Sequence, residues 1–114
     1  MSETARTGVL WAPSGILSID KAGSLRDALL GILAKGEGLS IDLSSVEDLD
    51  LSCLQVLIAA RLQALESGQV FGFTGRIAPR VVERLLRCGF VLSPIEKGED
   101  FELALAAHGD KVRR

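Results

Sequence analysis

Residues 39–62 read LSIDLSSVEDLDLSCLQVLIAARL, and the order of patterns within them decides the fold. Leu39, Ile41 and Leu43 alternate with Ser40 and Asp42, which predicts a buried strand over Leu39 to Leu43 that stops at Ser44 and Ser45. Glu47, Asp48 and Asp50 follow as an acidic loop. From Ser52 to Ser67 there is neither proline nor glycine, and Leu54, Leu57, Ile58, Leu62 and Leu65 recur at helical spacing. Gly68 then supplies a left-handed stop. A strand, an acidic turn and a long helix in succession make up the repeating grammar of an α/β domain.

Working outward, the same grammar continues on both sides. Val9 to Trp11 and Gly15 to Ile19 are short β-prone pieces separated by Pro13, Ser14 and Gly15, which predicts a hairpin-like opening of two edge or near-edge strands. Lys21 to Lys35 carries Ala22, Leu25, Ala28, Leu29, Ile32 and Leu33 at helical spacing, with Asp20 placed to cap the start and Gly36 to end it. After the central helix, Val70 to Phe73 gives a strand. A third helix begins near Pro79, buries Val81, Val82, Leu85 and Leu86, and ends before Gly89. Phe90 to Leu92 predicts a last strand, and Asp100 to Ala107 a closing helix with Phe101, Ala104 and Leu105 inward, before a frayed polar tail, DKVRR. The expected fold is a single α/β domain over residues 1–114, with its core at about 9–107. A mixed β-sheet of four to five strands carries about four helices mostly on one side, since so short a chain lacks the residues for thick layers on both.

Composition narrows the function. Apolar residues make up 47% of the chain against 25% charged, a globular balance, while a net charge of −2 provides no basic surface for a nucleic-acid backbone. Protein partners are expected instead. No apolar run approaches the roughly 20 residues of a membrane span, and MSETARTG lacks a signal-peptide core, so the expected location is the cytoplasm without membrane insertion. Cys53 and Cys88 have no CxxC spacing, which argues against zinc and for free thiols. The sole histidine, His108, is far in sequence from Ser52 and reads as a solvated helix-end residue. No catalytic triad, no GxGxxG or GxxxxGK[ST] loop and no metal-ligand set is present, so no catalytic residue, metal or cofactor is expected.

Ser52 is the hydroxyl that invites a role. A serine immediately before an apolar-periodic run is what an N-cap requires, since its oxygen accepts from unpaired backbone N–H groups. Spacing alone does not separate such a cap from a modified serine. On the helix that follows, Cys53, Val56, Ala60 and Gln63 form a second row of small or weakly polar residues, suited either to a partner surface or to packing under the third helix.

The whole order resembles the STAS family, the domain of anti-sigma factor antagonists, whose members carry a strand ending in aspartate, a D-[ST]-[ST]-G-L loop and a long helix. The residues that carry the likeness are Leu39 to Val46, Asp50-Leu51-Ser52-Cys53-Leu54 running into QVLIAARLQALESG, Gly15 to Asp20 ahead of the Leu25-Arg26 helix, and Arg84 to Phe90. The resemblance implies a non-enzymatic bacterial regulatory module acting on transcription. Ser52 would be phosphorylated by an anti-sigma serine kinase, with Asp50 as the leading acid of the loop. The partner surface would comprise Asp48, Asp50, Leu51, Ser52, Cys53, Val56 and Ala60. Two positions depart from the family pattern: Leu51 replaces a hydroxyl residue and Cys53 replaces glycine. Both resemble a variant subgroup found in chemotaxis gene clusters and among phospholipid-transport accessory subunits, which implies the alternative of a constitutive subunit that is never phosphorylated.

Overall fold

A computed structural model of the chain describes residues 9–91 and 93–113, with side chains through 107. The His108 side chain and Leu92 lie outside the described residues. Five strands, β1 (Val9–Trp11), β2 (Gly15–Leu17), β3 (Leu39–Asp42), β4 (Val46–Leu49) and β5 (Phe71–Thr74), alternate with four helices, α1 (Ala22–Leu33), α2 (Leu51–Glu66), α3 (Pro79–Arg87) and α4 (Gly98–Arg113). The α/β class expected from the sequence is the class observed.

The strands form two sheets, ordered β1-β3-β5 and β2-β4, and every ladder in them is parallel. The predicted hairpin is therefore corrected, as is the predicted mixed sheet. β1 and β2 do not pair with each other; each reaches across a helix to the corresponding strand of the next unit. The antiparallel contact among the described residues is the isolated bridge Arg76↔Lys97. Chain geometry explains the choice. Both β1–β2 and β3–β4 are extended runs broken by a bend, so the two sheets are successive stretches of one interrupted parallel pair. The break is visible in the register: Val9 faces Leu39, whereas Ile16 faces Asp48 after a shift between Gly15 and Ile16. Gly15 sits at φ 79°, a left-handed conformation that a side chain would strain.

In the three-stranded sheet one face is core. Leu39 and Ile41 of β3 are buried beside Phe71 and Phe73 of β5, while the alternate row of Leu10, Ser40 and Gly72 is partly or fully exposed. The helices pack on the buried side: α4 and α2 against β5, with α1 laid on α2. Phe101 of α4 is fully buried, its ring edge-on to Phe73 at 4.8 Å between centroids. Gly98 lets α4 start close to β5, because a Cβ there would overlap the Phe73–Thr74 backbone.

Several boundaries differ from expectation for local reasons. A 3-10 turn (Ile19–Lys21) precedes α1, so Asp20 lies inside that turn and its carboxylate accepts from Ser18 Oγ instead of capping the helix. The acidic stretch holds a strand: Glu47 and Asp48 belong to β4, recruited by the apolar residues Val46 and Leu49 at its ends. Phe90 and Val91 form no strand. After Gly89 the chain folds back so that both amides donate to the Leu85 carbonyl, at 2.9 and 3.4 Å, and both side chains join the core. At the other end α4 begins before Asp100 and runs past Ala107 into the stretch read as a polar tail. Among the described residues no helix is long and apolar enough to cross a membrane.

Candidate functional site

The site is built where β2, β4 and α2 meet. β4 ends at Leu49, Asp50 turns the chain, and α2 starts at Leu51. The Asp50 amide donates to the Leu17 carbonyl at 3.0 Å, and Cys53 Sγ donates to the Ser18 carbonyl at 3.3 Å, so the end of β2 and the first turn of α2 are fastened to each other.

Asp50, not Ser52, is the N-cap of α2. Its backbone is extended (φ −94°, ψ 175°) and its Oδ1 accepts from the Cys53 amide at 3.2 Å. The cap reading of Ser52 is thereby corrected by two positions, because the apolar pattern of the helix already includes Leu51. Ser52 lies in the first turn, half-buried, with its capping duty taken by a neighbour. Leu51 beside it is 55% exposed, and Ile19, on the segment joined to it through Ser18, is 70% exposed.

The residues expected to form a partner surface divide three ways. Leu51, Ser52 and Asp50 share the open first turn. Cys53 points the other way: it is fully buried, and burial first, then the charges of Asp50 and Asp20, push its thiol up from the ordinary cysteine value. It does not belong to the helical row in which the sequence placed it. Val56 and Ala60 continue from Ser52 instead. The stripe Ser52, Val56, Ala60 and Gln63 lines a groove of about 330 Å³ whose opposite wall is α1, with Arg26, Leu29 and Leu30. The row therefore faces α1 and not the third helix. Ala60 is almost wholly buried there, whereas Gln63 is exposed.

Asp48 is held inside the fold. It is 8% exposed, and its two carboxylate oxygens accept from Arg84 Nε and Nη2 of α3, each at 2.9 Å. This bidentate fork, only partly opposed by burial and joined by the Leu49 amide, holds the carboxyl below the usual aspartate range. Among the acids of the segment Glu47 is exposed and Asp50 is half-exposed. Arg84 was not expected at the site. Its signal lay in the stripe Arg80, Arg84 and Arg87 opposite buried Val81 and Leu85, but no spacing connects that stripe to Asp48. Arg26 and Ile19 were missed for the same reason, since each reaches the site through tertiary packing. Among the described residues no cluster of three or more His, Cys, Asp or Glu could hold a metal ion.

The profile of the family described as "Mlab, STAS domain" matches residues 5–89, from ahead of β1 to just past α3. The chain belongs to the STAS domain family. Comparison with curated proteins and with solved structures gave no match. STAS domains are in general non-enzymatic modules of regulation and protein–protein interaction, and the match covers both helices that line the groove and the whole Asp50–Cys53 turn.

Proposed function

We propose that this STAS domain is an anti-sigma factor antagonist-like switch that docks a bacterial serine kinase or other signalling protein through the first turn of α2, with Ser52 as the phosphoacceptor. The observation that carries the reading is the pairing of a half-exposed hydroxyl with exposed apolar neighbours. Leu51, in the Ser52 turn, and Ile19, in the 3-10 turn, stand on two segments hydrogen-bonded to each other, each next in the chain to an aspartate, Asp50 and Asp20. Large exposed apolar side chains at a helix start suit a contact that excludes water on docking. Cys53 in place of glycine does not obstruct such a contact, because its side chain turns into the core.

In the modification, Ser52 Oγ attacks the γ-phosphorus of ATP held by the kinase. The new O–P bond forms as the bond to the β–γ bridging oxygen breaks, ADP leaves, and the hydroxyl proton passes to a base of the kinase. The product carries about −1.5 to −2 charges in the same helix turn that Asp50 caps. A facing surface that is apolar or acidic would then be repelled without any unfolding of the domain. On this reading the protein works in the cytoplasm in the control of transcription. Incubation with the candidate kinase and ATP, followed by mapping of phosphate by mass spectrometry, tests it: phosphate is expected on Ser52 and absent from Ser52→Ala, and partner capture is expected to fall after modification.

The second reading is a constitutive accessory subunit of a chemotaxis or lipid-transport assembly. Leu51 favours it, since a hydrophobic residue in place of a hydroxyl adds permanent contact area and no second acceptor for phosphate. Stable copurification with an assembly, with Ser52 unmodified throughout, is the outcome that selects it.

A further inference from the structure

The groove between α1 and α2 holds a charge placed to meet a modified Ser52. The two helices leave one parallel pair and lead into another, α1 following β2 into β3 and α2 following β4 into β5, so they run in the same sense and their N-termini share one end of the domain. Ser52 lies in the first turn of α2, and Arg26 lies about one turn into α1. Both line the same groove, Arg26 being its single charged lining residue. The guanidinium is weakly engaged as it stands: its contact with Asp27 spans 3.7 Å between side chains that are 66% and 79% exposed.

We infer that Arg26 is the intramolecular receptor of a phosphate on Ser52, drawing it across the groove so that the modification bridges α1 and α2 and covers the open end of the Ser52–Val56–Ala60 stripe. The inference rests on Ser52 being the modified residue. Arginine suits the part because its planar fork matches phosphate oxygens with two N–H donors, which a lysine does not reproduce. The result is a switch that acts in two ways: charge is added at the first turn, and the groove beside it is closed. Other charged groups surround the position. Asp50 caps α2, and Asp20 and Lys21 of the 3-10 turn are close enough to act on the neighbouring Cys53 thiol. Asp27 competes for Arg26 from the same helix.

The test installs phosphoserine at position 52 during translation, so that it needs no kinase, and follows the phosphorus resonance through a pH titration. The second ionisation of phosphoserine lies near 6 in the absence of a partner. In the phosphorylated wild type it is expected below that of phosphorylated Arg26→Ala by about half a unit to one unit, the direction an adjacent cation imposes. Arg26→Lys is expected to recover part of the shift, and Asp27→Asn to deepen it by releasing the guanidinium. Lys21→Ala is expected to change it less than Arg26→Ala does. Asp20 and Asp50 are common to these variants, so the differences isolate the cations. Equal titration of wild type and Arg26→Ala overturns the inference, as does a larger effect from Lys21→Ala. If instead no kinase ever modifies Ser52 while the installed phosphate still titrates with Arg26, the groove chemistry stands and the proposed switch falls.

Discussion

Cys53 is sealed inside the first turn of α2 with its sulfur on the Ser18 carbonyl, whereas Cys88 stands exposed just beyond α3. A thiolate is the reactive species, and burial disfavours it. In native protein an aromatic disulfide reagent is therefore expected to titrate one thiol rapidly, that of Cys88, and a second only when denaturant opens the fold. Two thiols in the fast phase would contradict the burial of Cys53. The same residue marks a limit of sequence reading. Its spacing put it in a row with Val56 and Ala60, yet a helix turns 3.6 residues per cycle, and the true stripe through Val56 and Ala60 starts at Ser52. A one-residue offset at a helix start moves a side chain by about 100° around the axis, enough to exchange a core position for a groove position.

At the scale of elements, α4 is anchored in the core by Phe101, which meets both Phe73 and Phe90, and by fully buried Leu105. Phe101 is fully buried, edge-on to Phe73, which in turn meets Phe71 edge-on at 5.4 Å. Phe101→Ala removes that ring and leaves a cavity, and is expected to cost about 3–5 kcal/mol, read as a lower urea midpoint at an unchanged slope. An unchanged midpoint would mean that α4 does not dock as described. The long elements were legible because periodicity accumulates with length: α2 and α3 fall within a residue or so of the predicted ends. Short strands gave less signal. In β4 two of four residues are acids, and only the tertiary fork from Arg84 makes Asp48 acceptable inside a fold. Phe90 and Val91 were apolar enough for a strand, but their amides are used by the end of α3.

For the molecule as a whole, the acid limb of stability follows from its aspartates. Asp48 is depressed by Arg84, Asp42 by the Ser44 hydroxyl and then its amide, and Asp100 by the Glu96 and Lys97 amides. A carboxyl with a lowered folded-state pKa stabilises the fold fully above its unfolded value, about 3.9 for aspartate, and that contribution disappears as pH falls through the folded-state value. Stability is thus expected to be flat with respect to these groups from neutral pH down to about 4 and to fall below it. Asp48→Asn is expected to be less stable at pH 7 and to lose less on acidification, as read from urea midpoints across that range. An equally steep acid limb in the variant would remove Asp48 from the account. Class and element order were legible because alternating strands and helices leave few arrangements. Strand pairing was not, since the three-residue bend at 12–14 between β1 and β2 looks like a turn until the partners some thirty positions on are considered.

That pairing also governs how the chain meets the ribosome. Val9 waits for Leu39 and Leu17 for Leu49, so neither of the first two strands has a partner when it emerges. Until residues 39–49 follow, Leu10, Trp11 and Ile16 present apolar side chains on unpaired edges, held together only by whatever helix α1 has formed. Parallel pairing across such crossovers is slow to nucleate and exposes aggregation-prone edges meanwhile. Stalled or truncated products ending before β3 should for that reason be the ones most dependent on chaperones, while products that reach past Leu49 can close the first parallel pair and shield their own edges.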